Sequence, residues 1–209
     1  MEISLLPHQQ VCLDEAINAI SQGKRHILLH AGFGLGKTYM AYSIAEYIAN
    51  HHESESPTIL VLCNPRKVVD WEIAYEKYFG CPVSDEDCIM SIDTVWRRNP
   101  KLYDIVIIDE SQFLKVDDKL ELGSNRSEFV HKWYHNASNL IMLSGAPFYH
   151  WENSFGQYSM LDKSCNGDFK RKQFLDTYII RDLQSMKIKG KEKKFWKVAG
   201  VKNENQLKD

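Results

Sequence analysis

The apolar run His26-Ile27-Leu28-Leu29-His30 passes directly into Ala31-Gly32-Phe33-Gly34-Leu35-Gly36-Lys37-Thr38. No other stretch of the chain restricts the possible folds as much, because a strand that empties into a glycine-rich turn and then a helix is shaped around an anion. Gly32, Gly34 and Gly36 lack Cβ atoms, so successive backbone N–H groups can converge at the positive end of a helix beginning near Lys37. In such a loop Lys37 is expected to reach the β- and γ-phosphates of a nucleotide. Thr38 is expected to offer its hydroxyl to Mg²⁺, a hard cation that takes oxygen ligands beside the phosphates.

The periodicities on either side of this loop alternate as in an α/β domain. They predict helices over 8–21, 37–50 and 66–79, and strands over 26–30, 58–63, 88–91, 104–108 and 139–143. Ile59-Leu60-Val61-Leu62, Ile105-Val106-Ile107-Ile108 and Leu140-Ile141-Met142-Leu143 are continuously apolar. That pattern belongs to strands covered on both faces, so the expected fold is a three-layer α/β domain with a mainly parallel central sheet. Residues 50–57 and 115–125 are polar and charge-rich, and read as loops.

A second motif follows about 70 residues after the first. Tyr103-Asp104-Ile105-Val106-Ile107-Ile108 ends in Asp109-Glu110-Ser111-Gln112, placing two adjacent carboxylates at the carboxyl edge of a buried strand. Ligands of open α/β sheets bind at that edge. Asp109 is expected to hold Mg²⁺ through water, and Glu110 to orient and deprotonate an attacking water.

Composition narrows the classes further. With 209 residues, 44% of them hydrophobic, the chain can bury one good core with a small appendage. No apolar run approaches the ~20 residues of a membrane span, and Met1-Glu2-Ile3-Ser4 does not open a signal peptide, so an intracellular setting is expected. Cys12, Cys63, Cys81, Cys88 and Cys165 are scattered without a CxxC pair, which indicates neither a disulfide framework nor a zinc site. Residues 1–160 hold 13 Lys and Arg against 21 Asp and Glu, whereas residues 161–209 hold 13 against 7. The basic segment, densest over residues 187–194, suits either a polyanion or a solvated helical face.

The motifs together resemble the first RecA-like lobe of a superfamily-two helicase or translocase, most like the Swi/Snf-like ATPases. Ala31 in place of the usual first glycine matches the Ala-x-x-Gly-x-Gly-Lys-Thr form of that superfamily. Leu6-Pro7-His8-Gln9-Gln10 resembles the opening motif, which implies that Gln9 reads the adenine edge. Leu60 to Pro65, with Trp71 and Glu72, resembles motif Ia; Ser91-Ile92-Asp93-Thr94 resembles motif Ib; Leu143 to Pro147 resembles motif III. Gln112 departs from the family's usual His, and its amide is expected to donate to the γ-phosphate while accepting from a neighbour such as Ser144. The resemblance implies ATP and Mg²⁺ as cofactors, and duplex DNA as partner through Arg66, Lys67, Arg97, Arg98 and the basic tail. Lys202 to Leu207 resembles the segment leading toward a second RecA-like lobe, whose motifs V and VI have no counterpart after residue 150.

The expected organisation is therefore an ATP-binding lobe over 1–160 and a basic helical extension over 161–209. The catalytic set is Lys37, Glu110 and Gln112; Gln9, Gly32, Gly34, Gly36, Lys37 and Thr38 bind nucleotide; Thr38 and Asp109 hold the metal. The corresponding function is DNA-dependent ATP hydrolysis, in the cytoplasm or nucleoid, or in the nucleus of a eukaryotic cell. A nucleotide-dependent adaptor without motor activity is the alternative, and a phosphate-loop kinase is disfavoured because the Asp-Glu box is built to use water. His131 and His135, at helical spacing, lack a third ligand and are assigned to packing or solvent. Trp71, Tyr75 and Phe79 share one helical face and are assigned to the core.

Overall fold

The computed structural model describes residues 4–51, 56–99, 101–114, 125–134, 137–145, 151–161, 179–188 and 191–201. Five strands, β1 (His26–His30), β2 (Ile59–Cys63), β3 (Cys88–Ser91), β4 (Ile105–Ile108) and β5 (Asn139–Ser144), form one all-parallel sheet in the order β1-β5-β4-β2-β3. The helices are α1 (Pro7–Ser21), α2 (Lys37–Asn50), α3 (Val68–Phe79), α4 (Asn125–Tyr134) and α5 (Trp151–Leu161). Short 3-10 turns follow β2 at Pro65–Lys67, β3 at Val95–Arg97 and β4 at Ser111–Phe113.

The continuous apolar runs split by alternation, as side chains on a strand point to opposite faces. Ile59, Val61, Cys63, Ile105, Ile107, Ile141 and Leu143 pack under α1, α2 and α3. Leu60, Leu62, Val106, Ile108, Leu140 and Met142 pack with α4 and the end of α5 on the other face. Both faces are covered, giving the expected three layers. Each fully buried aliphatic side chain contributes about 1.5–3 kcal/mol to this arrangement.

Trp71, Tyr75 and Phe79 do belong to the core. Their rings surround the fully buried Tyr42 edge-on, at centroid distances of 5.2, 5.8 and 5.5 Å. Burial pushes the Cys63 thiol up to about 12, so it is a packing group without thiolate character. Cys12, Cys63, Cys81 and Cys88 are all free thiols, and Cys165 lies outside the described residues.

The basic segment corrects the helical expectation. Residues β6 (Ile179–Ile188) and β7 (Lys191–Val201) pair as an antiparallel hairpin, with Leu183 opposite Trp196 and Gln184 opposite Phe195. Lysines at both parities of the strand hide the period-2 signal. Ile179, Ile180, Ile188, Phe195, Trp196, Val198 and Val201 nonetheless supply the β-branched and aromatic residues that favour a strand. The register places Asp182 opposite Lys197 and Lys187 opposite Glu192, and it shifts between Ile180 and Arg181. Lys202 to Leu207 lies outside the described residues.

Candidate nucleotide site

Because every strand of the sheet is parallel, all five carboxyl ends emerge on one edge, and β1, β5 and β4 are neighbours there. The glycine-rich loop leaves β1 and enters α2 through Gly36, whose φ of +79° is left-handed. A side chain at Gly36 is excluded twice: by that φ, and because a Cβ would stand 2.2 Å from Gln9 Nε2. Lys37 Nζ donates to the carbonyls of Ala31 and Gly32, at 2.9 and 3.0 Å, so its ammonium is held within the loop. The Phe33 ring lies 5.3 Å from that ammonium and packs against Gly145, where a Cβ would meet it at 3.1 Å.

Gln9 is fully engaged with backbone. Its Oε1 accepts from Leu6 N at 2.9 Å, and its Nε2 donates to Leu35 O at 3.0 Å, so the residue expected to read a base ties α1 to the glycine loop. Gly32 and Gly34 are exposed in the loop, and Thr38 is half-buried in the first turn of α2.

At the end of β4 the chain turns sharply, because Glu110 adopts a left-handed φ of +49°, the one such non-glycine among the described residues. That conformation costs roughly 1–2 kcal/mol and collects at functional sites. Gln112 Nε2 donates to Glu110 Oε2 at 2.5 Å, and Ser144 Oγ, at the end of β5, donates to Gln112 Oε1 at 2.6 Å. The Gln112 amide thus accepts from Ser144 and passes a donor to Glu110, which fixes the orientation of the Glu110 carboxylate. Ser111 Oγ donates to Gln157 Oε1 at 2.8 Å, anchoring the same turn on α5.

Asp109 accepts from two N–H groups, Trp71 Nε1 at 3.1 Å and Glu110 N at 3.0 Å. Burial raises its pKa above the ordinary carboxylate value; the Trp71 bond opposes the shift, Glu110 adds to it, and Lys37 opposes it from a distance. The Trp71 donor escaped sequence reasoning, since nothing in the spacing of residues 71 and 109 reveals that they meet.

The donor set suits Mg²⁺: a hydroxyl, Thr38, and a carboxylate, Asp109, are hard oxygen ligands, and the Lys37 ammonium in the loop suits the phosphates of a nucleotide. Among the described residues no group of three His, Cys, Asp or Glu side chains could hold a metal unaided. His131 lies 3.0 Å from Ser159 Oγ, and burial lowers its pKa; His135 lies outside the described residues, as do Ala146 and Pro147.

The basic residues form a separate group on the same sheet edge. Arg66 and Lys67 follow β2, Arg97 and Arg98 follow the adjacent β3, and all four are exposed. Lys67 pairs with Asp70 at 2.9 Å, and the Arg97 guanidinium lies 4.9 Å over the Trp96 ring. No helix among the described residues is long and apolar enough to cross a membrane.

No curated protein matches the chain. Among solved structures, the Sulfolobus solfataricus SWI2/SNF2 ATPase core in complex with dsDNA is similar at 17% identity and a TM-score of 0.68, over 85% of this chain and 39% of that one. The UvsW helicase of bacteriophage T4 is similar at 15% identity and a TM-score of 0.54, over 76% and 58%. The Pyrococcus furiosus Hef helicase domain is similar at 16% identity and 0.52, over 81% and 35%. The chain thus spans between about a third and three fifths of these structures, and the likeness identifies a RecA-like α/β fold. The family model described as Type III restriction enzyme, res subunit, matches residues 2–130. The chain therefore belongs to the Type III restriction enzyme res-subunit family, and its fold is that of a RecA-like α/β lobe.

Proposed function

We propose that this lobe binds ATP with Mg²⁺ and forms the first half of a double-stranded-DNA-dependent ATPase, hydrolysing ATP to ADP and phosphate when paired with a second RecA-like lobe. The observation that carries the reading is the Lys37 ammonium held in its loop, on the same sheet edge as the Ser144–Gln112–Glu110 chain of hydrogen bonds. Lys37 and the loop N–H groups neutralise the β- and γ-phosphates. Glu110 takes the proton of a water that attacks the γ-phosphorus in line, and Gln112 and Ser144 keep its carboxylate aimed. Thr38 and Asp109 would hold Mg²⁺, whose contribution when bound is to neutralise charge on the phosphate oxygens. An intracellular setting, in the cytoplasm or nucleoid, goes with this function.

Lys37→Ala tests the nucleotide site. Loss of a charge-assisted contact of about 1.5–3 kcal/mol is expected to weaken ATP binding about 10- to 100-fold, with the ligand-free thermal midpoint near wild type. Equal stabilisation of both proteins by ATP would sink the assignment.

Duplex DNA should bind through phosphates alone at the exposed Arg66, Lys67, Arg97 and Arg98. Affinity is expected to be independent of sequence and to fall steeply with salt, and reversing the charges of Arg97 and Arg98 should lower the salt slope by about one unit per lost contact. Salt-insensitive binding, or indifference to the reversals, would favour a nucleotide-dependent adaptor.

A further inference from the structure

We infer that Trp71 is a positioning residue for the metal-holding carboxylate, fixing Asp109 through its indole N–H and fixing Asp109 relative to Thr38 through Tyr42. The inference rests on the nucleotide reading above and assigns to that site a residue from α3.

A buried indole brings one N–H that must find an acceptor. Trp71 is 2% exposed, and the acceptor its N–H finds is Asp109 Oδ2, 38 residues away at the end of β4. Asp109 Oδ1 is held in turn by the backbone N–H of Glu110. One donor on each oxygen fixes the carboxylate plane and leaves a lone pair on each for the hydration shell of a cation. Without the indole, rotation of the carboxyl group about its Cβ–Cγ bond would be restrained from one side only.

Trp71 is itself gripped twice by one residue. The Tyr42 ring meets the indole edge-on at 5.2 Å, and the Tyr42 hydroxyl donates to the Trp71 carbonyl at 2.9 Å. Tyr42 stands one helical turn beyond Thr38 on α2 and is fully buried. The two groups assigned to the metal, Thr38 on α2 and Asp109 just after β4, are thereby set against each other by a buried Tyr–Trp pair. Partners of this kind, one step behind a metal's own ligands, typically change metal affinity 10- to 100-fold when removed.

Trp71→Phe keeps an aromatic ring against Tyr42 and deletes the donor. Calorimetric titration of the 209-residue chain with ATP, in EDTA and in graded Mg²⁺, separates positioning from packing. ATP affinity in EDTA is expected to stay within about twofold, while the Mg²⁺ concentration needed for tight binding rises about tenfold. In an Asp109→Asn background the same substitution should add nothing, because the pair acts as a unit. An unchanged Mg²⁺ requirement, or equal losses with and without Mg²⁺, overturns the inference.

If Trp71→Phe does not fold, the wild-type protein labelled with ¹⁵N at its indoles still decides. The Trp71 N–H resonance is expected to move when Mg²⁺ is added to the ATP-bound protein, and a stationary resonance overturns the inference. Wild-type protein that binds no ATP removes the nucleotide reading and this inference with it. Normal Mg²⁺-dependent binding with an indifferent Trp71→Phe removes the inference alone.

Discussion

Glu110→Gln is expected to leave ATP binding within about twofold and to lower single-turnover phosphate release about 10²- to 10⁴-fold, the range set by loss of a positioned general base. The substituted amide has nearly the same shape and still offers one oxygen to Gln112 Nε2, so the hydrogen bond that now spans 2.5 Å can persist. The left-handed backbone at Glu110 is no harder for Gln than for Glu. Only proton acceptance is removed, since an amide does not deprotonate water. Gln112→Ala should reproduce part of the loss by freeing the carboxylate to rotate. Unchanged release from Glu110→Gln would mean that the acidic pair is a solvated strand end and that water is activated elsewhere.

What could be read from the chain and what could not divide along physical lines. Short-range signals were sufficient for the five strands and for α1, α2 and α3, whereas α4 and α5 were not anticipated. The apolar runs at residues 59–62, 105–108 and 140–143 became strands covered on both faces, and the glycine loop opened α2 at Lys37. The order β1-β5-β4-β2-β3 was not readable, because buried parallel strands of nearly uniform apolar character carry no label for their neighbours.

The pairing of Ser144 with Gln112 followed from chemistry, since an amide that donates must find something to accept from. The Trp71–Asp109 contact did not, because an aromatic stripe at helical spacing announces a buried face and not what its polar edge will touch. The basic segment was misjudged for a third reason. Charge dominated its composition, and its Lys residues fall at both parities of the hairpin that forms, so only the β-branched and aromatic residues between them pointed to a strand. Gln9 shows a different limit: its position beside the loop was readable, yet both its amide groups bond backbone.

Supplying a second RecA-like lobe in cis is expected to raise ATP turnover of these 209 residues about 10³- to 10⁵-fold and to make it respond to duplex DNA. The reason is charge. In-line transfer of the γ-phosphoryl group to water spreads negative charge over its equatorial oxygens, and on the proposed reading Lys37, the one cationic side chain of residues 31–38, is all the loop offers the β- and γ-phosphates besides its N–H groups. An arginine that arrives with another lobe neutralises the remainder, which is worth that factor in phosphate-loop enzymes. One arginine of the chain does lie near the acidic turn: Arg126, whose guanidinium stands 5.9 Å over the Phe113 ring. It is committed to an ion pair with Asp93, so reaching a phosphate would require breaking that pair. Steady-state phosphate release, with and without duplex, distinguishes the two sources. Slow release that the added lobe accelerates supports an arginine supplied from outside. Turnover of about 1 to 10³ per second from the lobe alone, the ordinary enzyme range, would contradict it, and loss of that turnover in Arg126→Ala would locate the arginine on α4.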